Sequence, residues 1–380
     1  MADIKILHIF QDEKFFESTS LFFDRLGGVS NIYPYYSTSR DYKFNYIKSV
    51  DKLTIVYDLN EYKAILRDSS FDFVYIHGLS PLFYDYVLEI PEGVKVIWWS
   101  WGYDIYYSWK TCRPLLEVDM YKPLTKRLKG KTKINLRELV KSLVYTVLRP
   151  VTQIKLKKVI SRIDYFTPVI SVEYDLLKNK NPFFRARPFM LTMGPGNGKV
   201  APFSFREKAG NIIIGNSLSY TNNHLDIFKA ISHCKRSPDQ KYIVPVSYGN
   251  EFDLSILKEN FKEDNVQWLE SFVTLDEYKK MYGTVSHAIF GMIRQQAMGN
   301  IYECLNNGIK VYLYKDSVIY RFLIDAGFTV FCLDDISEED FLTPLDEESA
   351  RRNHQLLAER ISNRYETAKK ELLNIYTDKL

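Results

Sequence analysis

Cysteine is scarce in this 380-residue chain: Cys112, Cys234, Cys304 and Cys332 are all there is. They stand without C-x-x-C or Cys/His spacing, which excludes a zinc module and a secreted disulfide framework, and reduced thiols in a cytosolic compartment are expected. No window of about 18 to 20 residues is free of charge, so a membrane-spanning helix is not expected. The opening MADIKILHIF carries Asp3 and Lys5 where a signal peptide would need an unbroken apolar core. Internal repeats and low-complexity tracts are missing, and with 46% hydrophobic and 26% charged residues so is the composition of a disordered chain. No DxD-like acidic pair sits at a metal-binding turn. Asp334-Asp335 lies late, near a surface loop, and reads as solvated. The expected metal set is therefore none, and the expected chemistry is metal-independent and needs no cofactor.

What is present begins with charge. The net charge is only +4, but residues 110–162 carry fifteen Lys/Arg against Glu117, Asp119 and Glu138, leaving the rest of the chain acidic. Within this basic segment Leu136, Leu139, Val140, Leu143, Val144, Val147 and Leu148 recur at helical spacing. Such a helix suits an anionic bilayer, and also ordinary domain packing. Polybasic attraction contributes about 1 kcal/mol per Lys or Arg near an anionic surface, so residues 133–162 are expected to hold the protein peripherally on the inner face of the plasma membrane. No nucleic-acid motif accompanies the basic excess, and nucleic acid is not an expected partner.

Short apolar runs alternate with helical patterns, the signature of βαβ units and parallel sheets. In the first half strands are predicted at 4–10, 53–57, 73–77, 94–99 and 165–170, in the second at 212–214, 242–246, 266–268, 287–290 and 310–314. The cluster Met193-Gly194-Pro195-Gly196-Asn197-Gly198 breaks regular structure between them. The expected organisation is a Rossmann-like domain at 1–193 bearing the basic helical segment 110–162, a linker at 194–210 and a second Rossmann-like domain at 211–346. C-terminal helices at 347–380 should pack back on the first domain. Doubly wound domains of this kind bind ligands at the carboxyl ends of their strands.

In the second half, strand residues Ile212 to Ile214 lead into Gly215-Asn216-Ser217, and Asn223-His224 begin a helix. Open backbone amides and a helix N-terminus suit a diphosphate, with Ser217, Thr221 and Asn223 as further donors and His224 beside a departing oxyanion. An ordinary strand-to-helix turn capped by Asn is the plainer alternative. Further on, Arg294-Gln295-Gln296 precede Gly299 and Asn300, the latter expected to cap a helix that carries Glu303. Arg294 needs an anion beside it, either a phosphate or a structural carboxylate. The spacing from Glu303 to Gly308 resembles the E-x-[LM]-x-x-G helix of many two-domain sugar-nucleotide transferases, where the acid takes hydrogen bonds from the ribose. An acid favoured by the helix dipole is the alternative. The expectation is that amides at Asn223 and Asn300 converge with the Arg294 guanidinium on a pyrophosphoryl group.

In the first half, Trp98-Trp99-Ser100-Trp101-Gly102-Tyr103-Asp104 ends a strand with aromatic planes and an acid, a combination suited to sugar rings and their hydroxyls. Trp101 and Gly102 are candidates for acceptor contact. His77-Gly78 and His8, Asp12 and Glu13 follow other strands. A sugar acceptor needs a proton acceptor, and Asp12, Glu13, His77 and Asp104 are the candidates, unranked.

Taken in order, these pieces resemble one family, the TDP-N-acetylfucosamine:lipid II N-acetylfucosaminyltransferases of glycosyltransferase family 56. The matching residues are His8, His77-Gly78, Trp98 to Asp104, Gly215-Asn216-Ser217, Asn223-His224, Val244-Pro245, Arg294-Gln295-Gln296 and Gly299. The resemblance implies a GT-B fold, a dTDP-sugar donor and a polyprenyl-diphosphate-linked saccharide acceptor in surface polysaccharide assembly. By position it puts Gly215, Asn216, Ser217 and Arg294 at the donor and His77 and Asp104 on the acceptor side. A non-catalytic adaptor of the same fold, binding lipid-linked glycan or a partner transferase, is the alternative.

Overall fold

The computed structural model describes residues 4–377 except 11, 108–111, 131–135, 192–199, 201, 204, 206–209 and 250–252. Most of the expected linker lies outside the described residues. Two compact units emerge: residues 1–117, 134–192 and 362–380 form the first, and residues 118–133 and 193–361 the second.

The first unit is built on a seven-stranded sheet: β1 (Ile4–Phe10), β2 (Val29–Tyr36), β3 (Leu53–Val56), β4 (Phe73–His77), β5 (Lys95–Trp99), β6 (Tyr165–Thr167) and β7 (Arg187–Pro188), in the order β3-β2-β1-β4-β5-β6-β7. Every pairing is parallel. A parallel sheet is covered on both faces, which is why β4, reading Phe-Val-Tyr-Ile-His, is buried throughout. Strand β2 was not predicted, because Asn31 and Pro34 break its apolar pattern.

The second unit holds β8 (Asn211–Ile214), β9 (Tyr242–Pro245), β10 (Val266–Leu269), β11 (Val285–Phe290), β12 (Lys310–Leu313) and β13 (Phe331–Cys332), ordered β10-β9-β8-β11-β12-β13 and all parallel. Ile212, Ile214, Val244, Ile289 and Tyr312 form its core with Phe228 and Leu257 from the covering helices.

Two boundaries differ from expectation. Residues 118–133, expected with the first domain, belong to the second unit. There the Asp226 carboxylate accepts from the amides of Leu124 and Thr125, both at 2.9 Å, and from Thr125 Oγ1 at 2.7 Å. These bonds satisfy the open N–H groups of the helix Pro123–Gly130. The C-terminal helices divide as well: Glu347–Ser362 lies almost wholly in the second unit, and only Arg364–Thr377 in the first. In that unit Tyr365 stacks on Phe22 at 5.1 Å between ring centroids.

Candidate functional site

Strands β8, β9 and β11 end in a knot of polar side chains. Gly215 has φ +68°, and a Cβ there would lie 2.6 Å from His224 Nε2, so only glycine lets the imidazole pack against this turn. Expected open amides are instead committed. Gly215 N donates to Ile289 O at 2.8 Å and Asn216 N to Asn222 Oδ1 at 3.1 Å, while Asn222 Nδ2 holds Ser217 at its carbonyl and its hydroxyl. Asn223 also departs from its expected role. Its amide donates to Tyr220 O, Nδ2 to Met120 O and Gly291 O, and Oδ1 accepts from Lys122 N, so it anchors residues 120–122 and has no amide left for a phosphate.

What the turn does present is a row of side chains. Thr221 Oγ1 donates to Gln296 Oε1 at 2.8 Å, Gln296 Nε2 to Asn216 Oδ1 at 3.4 Å, and Asn216 Nδ2 to the Tyr248 hydroxyl at 2.7 Å. Nothing in the local sequence marks Tyr248, a tyrosine three residues past the end of β9. The residue is 53% exposed, while its hydroxyl is bonded to Asn216 and raised in pKa by burial. Beside this row, both ring nitrogens of His224 and Oε1 of Gln295 are buried without a hydrogen-bond partner among the described residues. Burial lowers the His224 pKa to about 3, so the ring is neutral and one N–H lacks an acceptor.

The helix Met298–Asn306 starts earlier than expected. Its cap is Ala297, held at φ 56° without a side-chain cap bond, and Asn300 lies inside the first turn. A left-handed alanine is strained by about 1–3 kcal/mol, and here it exposes an uncapped helix start. A Cβ on Gly299 would meet nothing within 4 Å. Arg294 Nη1 donates to Gln295 O at 2.6 Å. Glu303 is half-buried, and burial raises its pKa against the pull of Lys279.

In the first unit Asp104 is a hub and not an open base. It is 4% exposed, and its carboxylate accepts from Leu79 N (2.9 Å), Trp98 Nε1 (2.7 Å), Ser100 Oγ (2.9 Å) and Trp101 N (3.1 Å). Burial nonetheless pushes its pKa up. Gly102, at φ 83°, turns the chain into this hub, and Trp101 stacks on Trp99 at 5.0 Å. Glu13 is likewise committed, accepting from the Tyr42 hydroxyl and the amides of Asn45 and Tyr46.

Asp12 and His77 come together. They line a small recess of about 10 Å³, room for one water-sized group, with Phe10, Phe16, Thr19, Tyr33 and Trp101. Asp12 also caps a short turn by accepting from Lys14 N at 3.0 Å. Three buried polar atoms of this lining, Thr19 Oγ1, the Tyr33 hydroxyl oxygen and His77 Nδ1, have no hydrogen-bond partner among the described residues. Buried polar groups in folded proteins are nearly always satisfied, so three around one recess leave hydrogen-bonding capacity there for a water or a single ligand hydroxyl. His8 reaches His77 from behind, Nδ1 to Nε2 at 2.9 Å.

The helix Leu136–Arg162 buries Leu156, Val159 and Ile160. On other faces Val144, Val147, Leu148, Val151 and Ile154 stand exposed, Val147 by 77%. The exposed residues recur every three or four positions, forming one stripe. Lys157 and Lys158 are exposed near its C-terminal end. Among the described residues no helix is long and apolar enough to cross a membrane, and no group of three His, Cys, Asp or Glu is placed to hold a metal ion.

The sequence model of the family described as 4-alpha-L-fucosyltransferase, glycosyl transferase group 56, matches residues 139–366. Among solved structures, a glycosyltransferase from Rickettsia africae ESF-5 is similar with a TM-score of 0.61 at 12% identity, over 99% of this chain and 98% of that one. A lipopolysaccharide outer core galactosyltransferase in its apo form gives 0.55 at 13% identity, over 99% and 100%. Sucrose-phosphate synthase from Thermosynechococcus elongatus gives 0.59 at 9% identity, over 99% and 98%. Likeness at this identity shows the fold, and the fold is GT-B, two Rossmann-like units in one chain.

Proposed function

We propose that this chain, which belongs to the 4-alpha-L-fucosyltransferase family, glycosyl transferase group 56, moves a deoxyamino sugar such as N-acetylfucosamine from a dTDP donor to a polyprenyl-diphosphate-linked saccharide. Glycosyl transfer itself is the activity of the family. The donor, the acceptor and the membrane setting are our reading.

The observation that carries the acceptor is the recess in the first unit. At its mouth a saccharide can lay a flat apolar face on the half-buried Trp101 and send one hydroxyl in toward Thr19, Tyr33 and His77. In the reaction the sugar C1–O bond to the diphosphate breaks, a C1–O bond to the acceptor forms, and the acceptor hydroxyl gives up its proton. Asp12 is the group that takes it. His77 is a poor terminal base, because burial and the neighbouring His8 hold its pKa well below 6.5, but its lone pair can orient the hydroxyl.

The donor falls to the second unit. Asn216, Gln296 and Tyr248 face the nucleoside, Glu303 the ribose, and the uncapped start of Met298–Asn306 with Arg294 the diphosphate. Gly215, Ser217 and Asn223 shape the turn, and Gln295, Gly299, Asn300 and His224 complete the lining. These groups supply positive potential without a metal ion, so we propose a metal-independent transfer. The exposed apolar stripe of Leu136–Arg162, with its lysines, supports a peripheral seat on an anionic membrane, where a lipid-linked acceptor resides.

The test is transfer in vitro. Purified protein, dTDP-sugar and polyprenyl-diphosphate saccharide in anionic vesicles should yield the extended glycolipid, detected by mass spectrometry. A donor panel that leaves the glycolipid mass unchanged throughout would reject the reading.

A further inference from the structure

The recess described above is backed by a chain of polar groups that neither the family nor the proposed reaction assigns. We infer that Asp24, Asn31 and His8 form a hydrogen-bonded relay that decides which ring nitrogen of His77 carries the proton, so that His77 turns a bare Nδ1 toward the ligand of the recess.

Asn31 Nδ2 donates to Asp24 Oδ1 at 3.5 Å. The reversed amide would set its oxygen against a carboxylate oxygen, so the Asp24 charge favours this orientation although O and N look alike. Asn31 Oδ1 then faces His8 Nε2 at 3.0 Å, and His8 must carry its proton there to donate. A neutral imidazole has one N–H, which leaves His8 Nδ1 as an acceptor. His77 Nε2 lies 2.9 Å from it and must be the donor. That leaves His77 Nδ1 bare, buried, and without a partner among the described residues. Both rings are neutral, since burial lowers His8 to about 4 and His77 well below 6.5.

A bare imidazole nitrogen accepts a hydrogen bond and cannot donate one. Its complement is a hydroxyl, and on the reading of the recess as the acceptor site, from which this inference proceeds, that is a hydroxyl of the acceptor saccharide. With the opposite tautomer His77 would present N–H and turn the hydroxyl's own proton away from it. His8, Asn31 and Asp24 are thus positioning residues acting through His77. The relay begins on the helix Phe16–Asp24, passes through β2 and β1, and ends on β4. Adjacent parallel strands hold the three ring and amide groups in fixed register, and His8 is further clamped between Tyr33, stacked at 4.4 Å, and Phe23, edge-on at 4.5 Å.

The test uses full-length protein labelled with ¹⁵N in histidine, with ring-nitrogen shifts read by NMR in wild type, His8→Phe and Asn31→Leu. The aromatic surroundings of His8 accept a phenyl ring, and leucine is close to asparagine in shape. Wild type should show His8 and His77 both protonated at Nε2. In the variants His77 should become a mixture of tautomers, and kcat should fall about tenfold or more, a loss of roughly 1.4 kcal/mol, with KM for the nucleotide-sugar unchanged. A wild-type His77 protonated at Nδ1, a His77 tautomer that stays the same in both variants, or an unchanged kcat in a variant whose tautomer is disturbed would each overturn the inference. Loss of sugar transfer in wild type would sink the acceptor reading, and the ring-nitrogen shifts would still decide the relay.

Discussion

The Asn216 side-chain amide donates to the hydroxyl of Tyr248 at 2.7 Å, and this one bond fixes an exposed aromatic ring beside the glycine turn of the second unit. A tyrosine tethered at its tip holds its ring face in place, as a stacking platform for a nucleobase must. Replacing Tyr248 by Ala should weaken dTDP binding by about 3- to 10-fold, the worth of one aromatic stacking contact. Tyr248→Phe should lose less, because the face remains. Isothermal titration with dTDP checks both, and equal affinity in all three proteins would remove Tyr248 from the site.

Asp226 holds residues 124–125 by three hydrogen bonds and should matter for stability, not chemistry. Asp226→Ala should cost about 2 kcal/mol, the upper end of a lost helix cap, and lower the melting temperature of the second unit by roughly 4 to 8 °C. Calorimetry reads this directly, and donor affinity measured well below the transition should persist.

Much of this was legible in the sequence and some was not. Buried parallel strands announce themselves by unbroken apolar runs, so β1 and β4 match prediction to the residue, with His77 at the end of β4 and Asp12 in the turn after β1. Strand β2 was hidden by Asn31 and Pro34, and the relay hidden with it, since a hydrogen bond between residues 8 and 31 has no signature in local spacing. Likewise Asp104 and Asn223 looked like site residues because polar groups at strand and helix ends usually face ligand. Here both turn inward, one to four donors around Trp101 and the other to residues 120–122. Residue type marks a polar position, and only packing says which way it points.

Glu173 is a fully buried acid whose pKa is raised by that burial from 4.5 to about 8. The folded protein therefore binds this proton more tightly than the unfolded chain. Its contribution is fully present below pH 4.5 and is lost as pH rises from there to about 8. Glu173→Gln should flatten that slope, and at pH 8.5 the variant should be the more stable protein by on the order of a few kcal/mol. Urea denaturation at pH 6 and 8.5 checks the sign, and parallel curves for the two proteins would contradict it.

The stripe on Leu136–Arg162 makes a separate demand. Val147→Asp with Val151→Asp should abolish flotation with anionic vesicles, and raised salt should weaken wild-type flotation, since exposed charge is screened within about 10 Å at 0.1 M. Equal flotation with neutral lipid would contradict the electrostatic part.

Metal independence is checked by chelation. Excess EDTA should leave turnover within about twofold of its starting value, less than 0.5 kcal/mol on the barrier, with Arg294→Ala losing far more.

The most direct measurement is the release of nucleoside diphosphate from dTDP-sugar, followed with and without polyprenyl-diphosphate saccharide in the vesicles, for wild type and Asp12→Asn. Release should depend on the acceptor, be matched by gain of one sugar on the glycolipid, and be nearly absent in the variant. Release at the same rate without acceptor, or full activity with asparagine at position 12, would contradict it.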